Sequence, residues 1–340
     1  MLARERPRIE LTRLLFLPAA AGVLALALSS CGGQSNAASA GAPPAGQSGQ
    51  AHHPGQAELR AARAAARLAA ARQAAARRAA ELPVVTPVNR ARPSWQPVAT
   101  IGGQNAAWQA QRSGVTLLRF DQQLVRLALH AGLGEPSGTW RYGDRIGPSE
   151  IHRIVAAFNG GFKFNTGVIG FLANGRVGAA LQPGLGSIVT YSNGVTDIGA
   201  WHSGVPARGQ PVSSVLQNLH LLVDQGVPAA TVTSCVQSCW GSTLGGVTFI
   251  ARSALGITGN GQLVWAAGES LSPAGIAQAL INAGVQRAVE LDINPAWVAG
   301  YLYVHGGSGP SAVPVVPGQN GISGRYFEPY SRDFFTVLAR

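Results

Sequence analysis

The chain reads as an α+β domain, a single mixed-sheet, strand-rich domain with few helices, preceded by a signal peptide and a basic Ala/Arg-rich helix. Three observations lead there. Only 12% of the 340 residues are charged, while 44 are glycine and 21 proline, a balance that favours strands joined by irregular turns. Short apolar runs with period-two alternation recur from Val115 to Ile293, and few stretches there carry a helical period. Composition also changes sharply near residue 98, leaving about 240 residues, enough for one sizeable core.

Arg4, Arg6, Arg8 and Arg13 precede an apolar run from Leu14 to Leu28 and then Ser29-Ser30-Cys31. This is the order of a secretory signal. Leu28-Ser29-Ser30-Cys31 resembles a bacterial lipobox, so residues 1–31 predict a lipoprotein signal with Cys31 as the acylated mature terminus. The chain is then extracytoplasmic and membrane-anchored, or secreted. Residues 32–56 are a flexible tether, too poor in apolar side chains to build a core. Residues 57–82 are nearly all strong helix formers, with arginines at 60, 63, 67, 72, 77 and 78 around the circumference. That helix is a spacer, or an arm for anionic envelope polymer held by charge alone. Residues 83–97 carry Pro83, Pro87, Pro93 and Pro97 and read as an extended linker. The domain spans 98–340.

Within it, strands are expected at Val115–Phe120, Leu124–His130, Val168–Leu172, Ser187–Tyr191, Leu219–Val223, Gly246–Ala251, Gln262–Ala267 and Ala288–Ile293. Glu150–Ala157 reads as a short helix or strand. Asn260-Gly261 is the strongest hairpin signal. Ser272-Pro273 opens a helix that runs to Asn282 and stops at Gly284. The aromatic tail through Phe334-Phe335 is expected to dock on the domain. In an oxidising space Cys235 and Cys239 predict a disulfide around a tight loop. No third and fourth ligand with metal spacing stands near them, so no metal is expected.

The net charge of +11 divides almost evenly between residues 1–82 and the rest, so the domain is only mildly basic and no specific nucleic-acid partner is expected. No nucleophile elbow, P-loop, metalloprotease helix or dinucleotide fingerprint occurs, and no cofactor is expected. Chemistry concentrates in Val285–Trp297. Alternation places Glu290 and Asp292 on one strand face, where repulsion would raise one carboxyl of the pair. Asn294 follows in the turn. Asn159-Gly160-Gly161 is a strand breaking into paired glycines, able to bring backbone amides against a phosphate or sugar hydroxyl. Lys163, the one lysine of the chain, stands beside it. Arg252 ends a strand and offers a fork to a phosphate or to Asp292. His202 and His305 sit in loops with aromatic neighbours, suited to sugar contact.

In order, Asn159-Gly160-Gly161-Phe162, Gly170-Phe171-Leu172-Ala173-Asn174-Gly175, Leu222-Val223-Asp224-Gln225-Gly226, Arg252-Ser253-Ala254-Leu255-Gly256 and Leu291-Asp292 resemble motifs of the phosphodiester glycosidase family. The resemblance covers about residues 115–300. It implies a carbohydrate or glycan-phosphate substrate, with Asp292 as the catalytic carboxylate and Asn159, Gly160, Gly161 and Arg252 around the phosphate. Glu290, which stands where the family usually has Asn, is taken as the second catalytic carboxylate from its place on the strand face. Asn294 and His202 are placed around the substrate from their own turn and loop settings. The chain departs from the family pattern after Asp292, where glycines give way to Ile293-Asn294-Pro295-Ala296-Trp297. Proline donates no amide hydrogen, so an anion cradle built from glycine amides is not reproduced there.

Overall fold

The computed structural model describes residues 92–166, 169–307, 309–319 and 325–340. The expected signal with Cys31, the tether, the Ala/Arg-rich helix and the linker up to residue 91 lie outside the described residues. The described chain begins with a hairpin, β1 (Gln96–Ile101) and β2 (Gln104–Arg112), turning at Gly102-Gly103. Gln96 and Pro97, the last residues of the expected linker, already pair with β2. There follow β3 (Val115–Phe120), β4 (Val125–His130), the one-turn helix α1 (Pro148–Ile151) and β5 (Ile154–Asn159), so the Glu150–Ala157 segment is a helix that gives way to a strand. Next come β6 (Ile169–Ala173), β7 (Arg176–Ala179), β8 (Gly186–Tyr191), β9 (Thr196–Ala200), β10 (Val212–Asn218), β11 (Leu221–Asp224) and β12 (Val227–Pro228). The short helix α2 (Val236–Cys239), β13 (Ile250–Thr258) and β14 (Leu263–Leu271) lead to α3 (Pro273–Asn282), then β15 (Val285–Ile293), β16 (Gly300–Gly306), β17 (Gly309–Pro314) and β18 (Phe334–Ala339).

The strand-rich reading holds, but the strands divide among three sheets instead of joining one mixed sheet. Their orders are β1-β2-β3-β14-β13-β15-β11-β12, β17-β16-β5-β18-β4 and β7-β6-β10-β8-β9, and every strand pairing is antiparallel. Two features of the sequence account for this. Most strands are joined by tight turns, which return the chain antiparallel. Some strands are buried on both faces: β5 and β8 are buried along their whole length, so each needs cover on both sides, which stacked sheets supply.

The longest helix among the described residues, α3, forms as expected. Ser272 Oγ accepts from the Gly275 amide at 3.1 Å, Pro273 fills the first turn, and Gly284 with φ +89° ends it. It carries the chain past β13, so β14 and β15 flank that strand. The first two sheets pack through aromatic rings. Phe158 of β5 stacks on Trp265 of β14 at 5.4 Å and lies 5.7 Å from Phe335 of β18. Gly300 is bare because a Cβ there would stand 2.4 Å from the Trp265 ring. The aromatic tail is not an appendage: β18 is an interior strand between β5 and β4.

Candidate active site

The end of β15 carries the site because its regular pairing breaks there. Arg252 pairs with Ile293 and Ala254 with Glu290, so β15 contains one residue more than β13 across this step. Such a bulge interrupts the period-two alternation. Glu290 and Asp292 consequently meet different surroundings. Glu290 is fully buried and forms an ion pair with Arg252, Oε1 to Nη1 at 2.8 Å. Asp292 opens on a cleft of about 480 Å³ lined also by Phe162, Lys163, Asn294, Trp297 and Arg332.

Asp292 is held on every side. Its Oδ1 accepts from the Ile293 amide at 2.8 Å, and its Oδ2 lies 3.0 Å from Arg332 Nη2. Its own amide donates to Gly160 O at 2.8 Å, and Ser253 Oγ donates to its carbonyl at 2.9 Å. Asn159 completes the frame: Nδ2 donates to Ser253 Oγ at 2.9 Å and Oδ1 accepts from the Ala299 amide at 3.3 Å. Asn159 is therefore a bracket tying β5, β13 and the β15–β16 connection together.

A second carboxylate approaches from β18. The Asp333 carbonyl accepts from Gly160 N at 3.1 Å, and its Oδ2 accepts from Gly161 N at 2.7 Å. Gly160 is required by this contact, since a Cβ would lie 2.0 Å from Asp333 Oδ2. Asp333 Oδ1 is buried without a hydrogen-bond partner. Burial pushes Asp292 up to about 7, against the pull of Arg332 and the Ile293 amide, and the neighbouring Asp333 charge adds to the rise. Asp333 is likewise raised to about 7 by burial, opposed by Arg332 and by the Gly161 amide. Glu290 is raised to about 7 by burial despite Arg252.

Two cations sit on one aromatic ring. Lys163 Nζ is 5.5 Å and Arg332 Cζ 5.0 Å from the centre of Trp297, within the range of cation–π attraction. The backbone reaches this point through Asn294, whose φ is +78°. The opposite wall is Gln237, Ser238, Gly241 and Ser242. The Cys235–Cys239 disulfide, with Cα atoms 5.4 Å apart, spans α2 in that wall. Arg252 Nη1 also donates to Trp240 O at 2.9 Å, fastening the wall to β13.

Several expectations are corrected. Glu290 is not the second carboxylate of the cleft, because the bulge and Arg252 take it into the core. Arg252 reaches neither Asp292 nor the cleft. The Gly160 and Gly161 amides are occupied by Asp333, and Asn159 is buried among backbone groups, so this turn holds the fold together instead of a ligand. His202 is exposed on the loop after β9, stacked on Trp201 at 5.0 Å, and does not line the cleft. His305 contacts Ile154 O at 2.7 Å, away from Asp292. Asn294 and Lys163 do line it. Sequence reasoning missed Arg332 and Asp333. Their signal was present as an Arg-Asp pair immediately before the apolar run Phe334–Leu338, the same acid-at-strand-end pattern seen at Asp292. Among the described residues no group of three or more His, Cys, Asp or Glu is placed to hold a metal ion.

No family model and no curated protein sequence matches the chain. Among solved structures it is similar to the catalytic domain of zebrafish N-acetylglucosamine-1-phosphodiester alpha-N-acetylglucosaminidase auto-inhibited by its pro-peptide, at 14% identity and TM-score 0.43, over 76% of this chain and 85% of that one. It is also similar to a hypothetical protein from Synechocystis, at 14% identity and TM-score 0.37, over 72% of this chain and 64% of that one. At these levels no residue role passes from either structure to this chain.

Proposed function

We propose that the protein is an extracytoplasmic hydrolase that cleaves a sugar 1-phosphodiester in envelope polymer or glycolipid. The observation that supports this most is the company of Asp292, a carboxylate at the cleft surface beside Arg332, Lys163 and Trp297. The leaving group of such a reaction is a phosphate monoester with a second pKa of about 6, so it departs with little proton donation. The usual pair of carboxylates for glycoside cleavage then reduces to one. Asp292 acts at the anomeric carbon as nucleophile or base, Lys163 meets the phosphate as a point charge, and Trp297 with Phe162 forms the apolar wall. Membrane attachment through Cys31 belongs to the same proposal and rests on Leu28-Ser29-Ser30-Cys31.

The test is release of free sugar from a synthetic sugar 1-(alkyl phosphate). Asp292→Asn is expected to lose at least about 10³-fold in turnover, the size of effect typical for an essential reacting group, with its circular dichroism unchanged. Full activity in that variant sinks the assignment. A second reading, a glycan-binding protein without turnover, is favoured by one observation: both Asp292 oxygens already have partners. It predicts saturable binding of the same diester with no sugar released.

A further inference from the structure

A cavity of about 230 Å³ lies on another part of the domain, where β4, the edge strand of the second sheet, meets the third sheet. Its lining includes Arg126 on β4, Arg141 and Tyr142 before α1, Asn174 in the β6–β7 turn, Asn193 in the β8–β9 turn and Ser213 on β10. No Asp or Glu is among the lining residues.

The charge here is unbalanced. Arg126 is half-buried, and its Nη1 and Nη2 both donate to the Tyr142 hydroxyl, at 3.2 and 3.3 Å. That hydroxyl is neutral. Arg141 Cζ lies 5.6 Å from the ring of the same tyrosine. Arg340 approaches from behind, its Nη1 donating to Asn193 O at 3.0 Å. Among the described residues none of these three guanidinium groups has a carboxylate within ion-pair distance. Two exposed guanidinium groups gathered around a half-buried one without an acid repel it, and a bound anion relieves that repulsion. The other polar side chains of the lining are hydroxyls and amides, which pair with sugar hydroxyls, among apolar residues such as Leu127 and Leu129.

We infer that this cavity is a binding site for a sugar phosphate, independent of the Asp292 cleft. The phosphate takes the Arg126 and Arg141 forks, a planar match that guanidinium makes better than ammonium. Asn174, Asn193 and Ser213 take the sugar hydroxyls. The volume suits one phosphorylated monosaccharide and excludes a long polymer from the interior of the cavity.

The experiment is a titration of the full chain, carrying Lys163→Ala to weaken the Asp292 cleft for anions, with glucose 6-phosphate, inorganic phosphate and glucose. Binding is read by calorimetry and by chemical shifts of the Ser192–Gly194 amides. The expected result is saturable binding of glucose 6-phosphate, weaker binding of inorganic phosphate and none of glucose. Arg126→Gln and Arg141→Gln each weaken glucose 6-phosphate by about tenfold or more. Arg141 is exposed, so its variant keeps the fold even where Arg126→Gln does not. Equal affinity in Arg141→Gln, no saturation at millimolar ligand, or shifts confined to residues around Asp292 would each overturn the inference.

Discussion

Arg332 stands between two acceptors: its Nη2 is 3.0 Å from Asp292 Oδ2 and donates at 2.8 Å to the carbonyl of Gly161. One guanidinium thus ties β18 to both the end of β15 and the turn after β5. Its removal takes away a cation that pulls the Asp292 carboxyl down. Arg332→Met is expected to move Asp292 above its present value of about 7, because an opposite charge within contact favours the ionised form. Carbon-13 titration of the Asp292 carboxyl in both proteins measures the direction. A downward shift, or none, would show that Arg332 does not govern Asp292.

The buried acids set the pH dependence of stability. Asp333 is raised from its ordinary 3.8 to about 7. Between about pH 4 and 7 the folded state therefore keeps a proton that the unfolded chain releases, and stability falls as pH rises across that window. Asp333→Asn removes this term while the amide oxygen still accepts from Gly161. The variant is expected to match the parent near pH 4 and to exceed it at pH 8, with a ceiling of roughly 4 kcal/mol. Thermal melts at both values test this; identical pH slopes for the two proteins would refute it.

Arg252 and Glu290 form an ion pair inside the core. Both are fully buried and paired at 2.8 Å, and loss of one partner leaves the other charge in the core. Arg252→Met is expected to cost about 3–5 kcal/mol in urea unfolding, whereas Arg252→Met with Glu290→Met recovers most of it. Additive losses in the double variant would contradict a simple buried pair.

The disulfide has a local task. Its two cysteines are four residues apart, so the loop it closes is too short for a large entropic effect on global stability. Cys235→Ser with Cys239→Ser should leave the melting temperature within a few degrees of the parent, while binding in the Asp292 cleft weakens about tenfold as Gln237 and Ser238 lose their fixed position. Unchanged affinity would separate the disulfide from the cleft.

Local signals in the sequence were dependable where cap or turn chemistry marked them. The strand expected at Gly246–Ala251, by contrast, lies at Ile250–Thr258 and contains Arg252, and long-range relationships were not legible. The β3 strand, the α3 helix with its Ser272 cap and the Asn260-Gly261 hairpin all follow from neighbours a few residues apart, and they form where expected. Asp292 was legible because an apolar strand ending in an acid points to a sheet rim. The bulge that separates it from Glu290 depends on how β13 aligns with β15, which no period in either strand encodes. Arg332 and Asp333 were hidden for a related reason. Asp333 meets Gly160 and Gly161, and Arg332 meets Gly161, all more than 150 positions earlier, and only the insertion of β18 between β5 and β4 brings them together.

That insertion orders events during synthesis. Chains emerge N-terminus first, and β5 and β4 are made long before the strand that must lie between them. Until residues 332–339 have emerged, β4 and β5 cannot take their final places, and Asp292 has neither Arg332 nor Asp333 beside it. The cleft is therefore assembled only after β18 is made, when every strand of the first sheet is already present. Such long-range pairing is slow, so a nascent chain stalled just short of residue 332 carries every strand of the first sheet and yet no finished site.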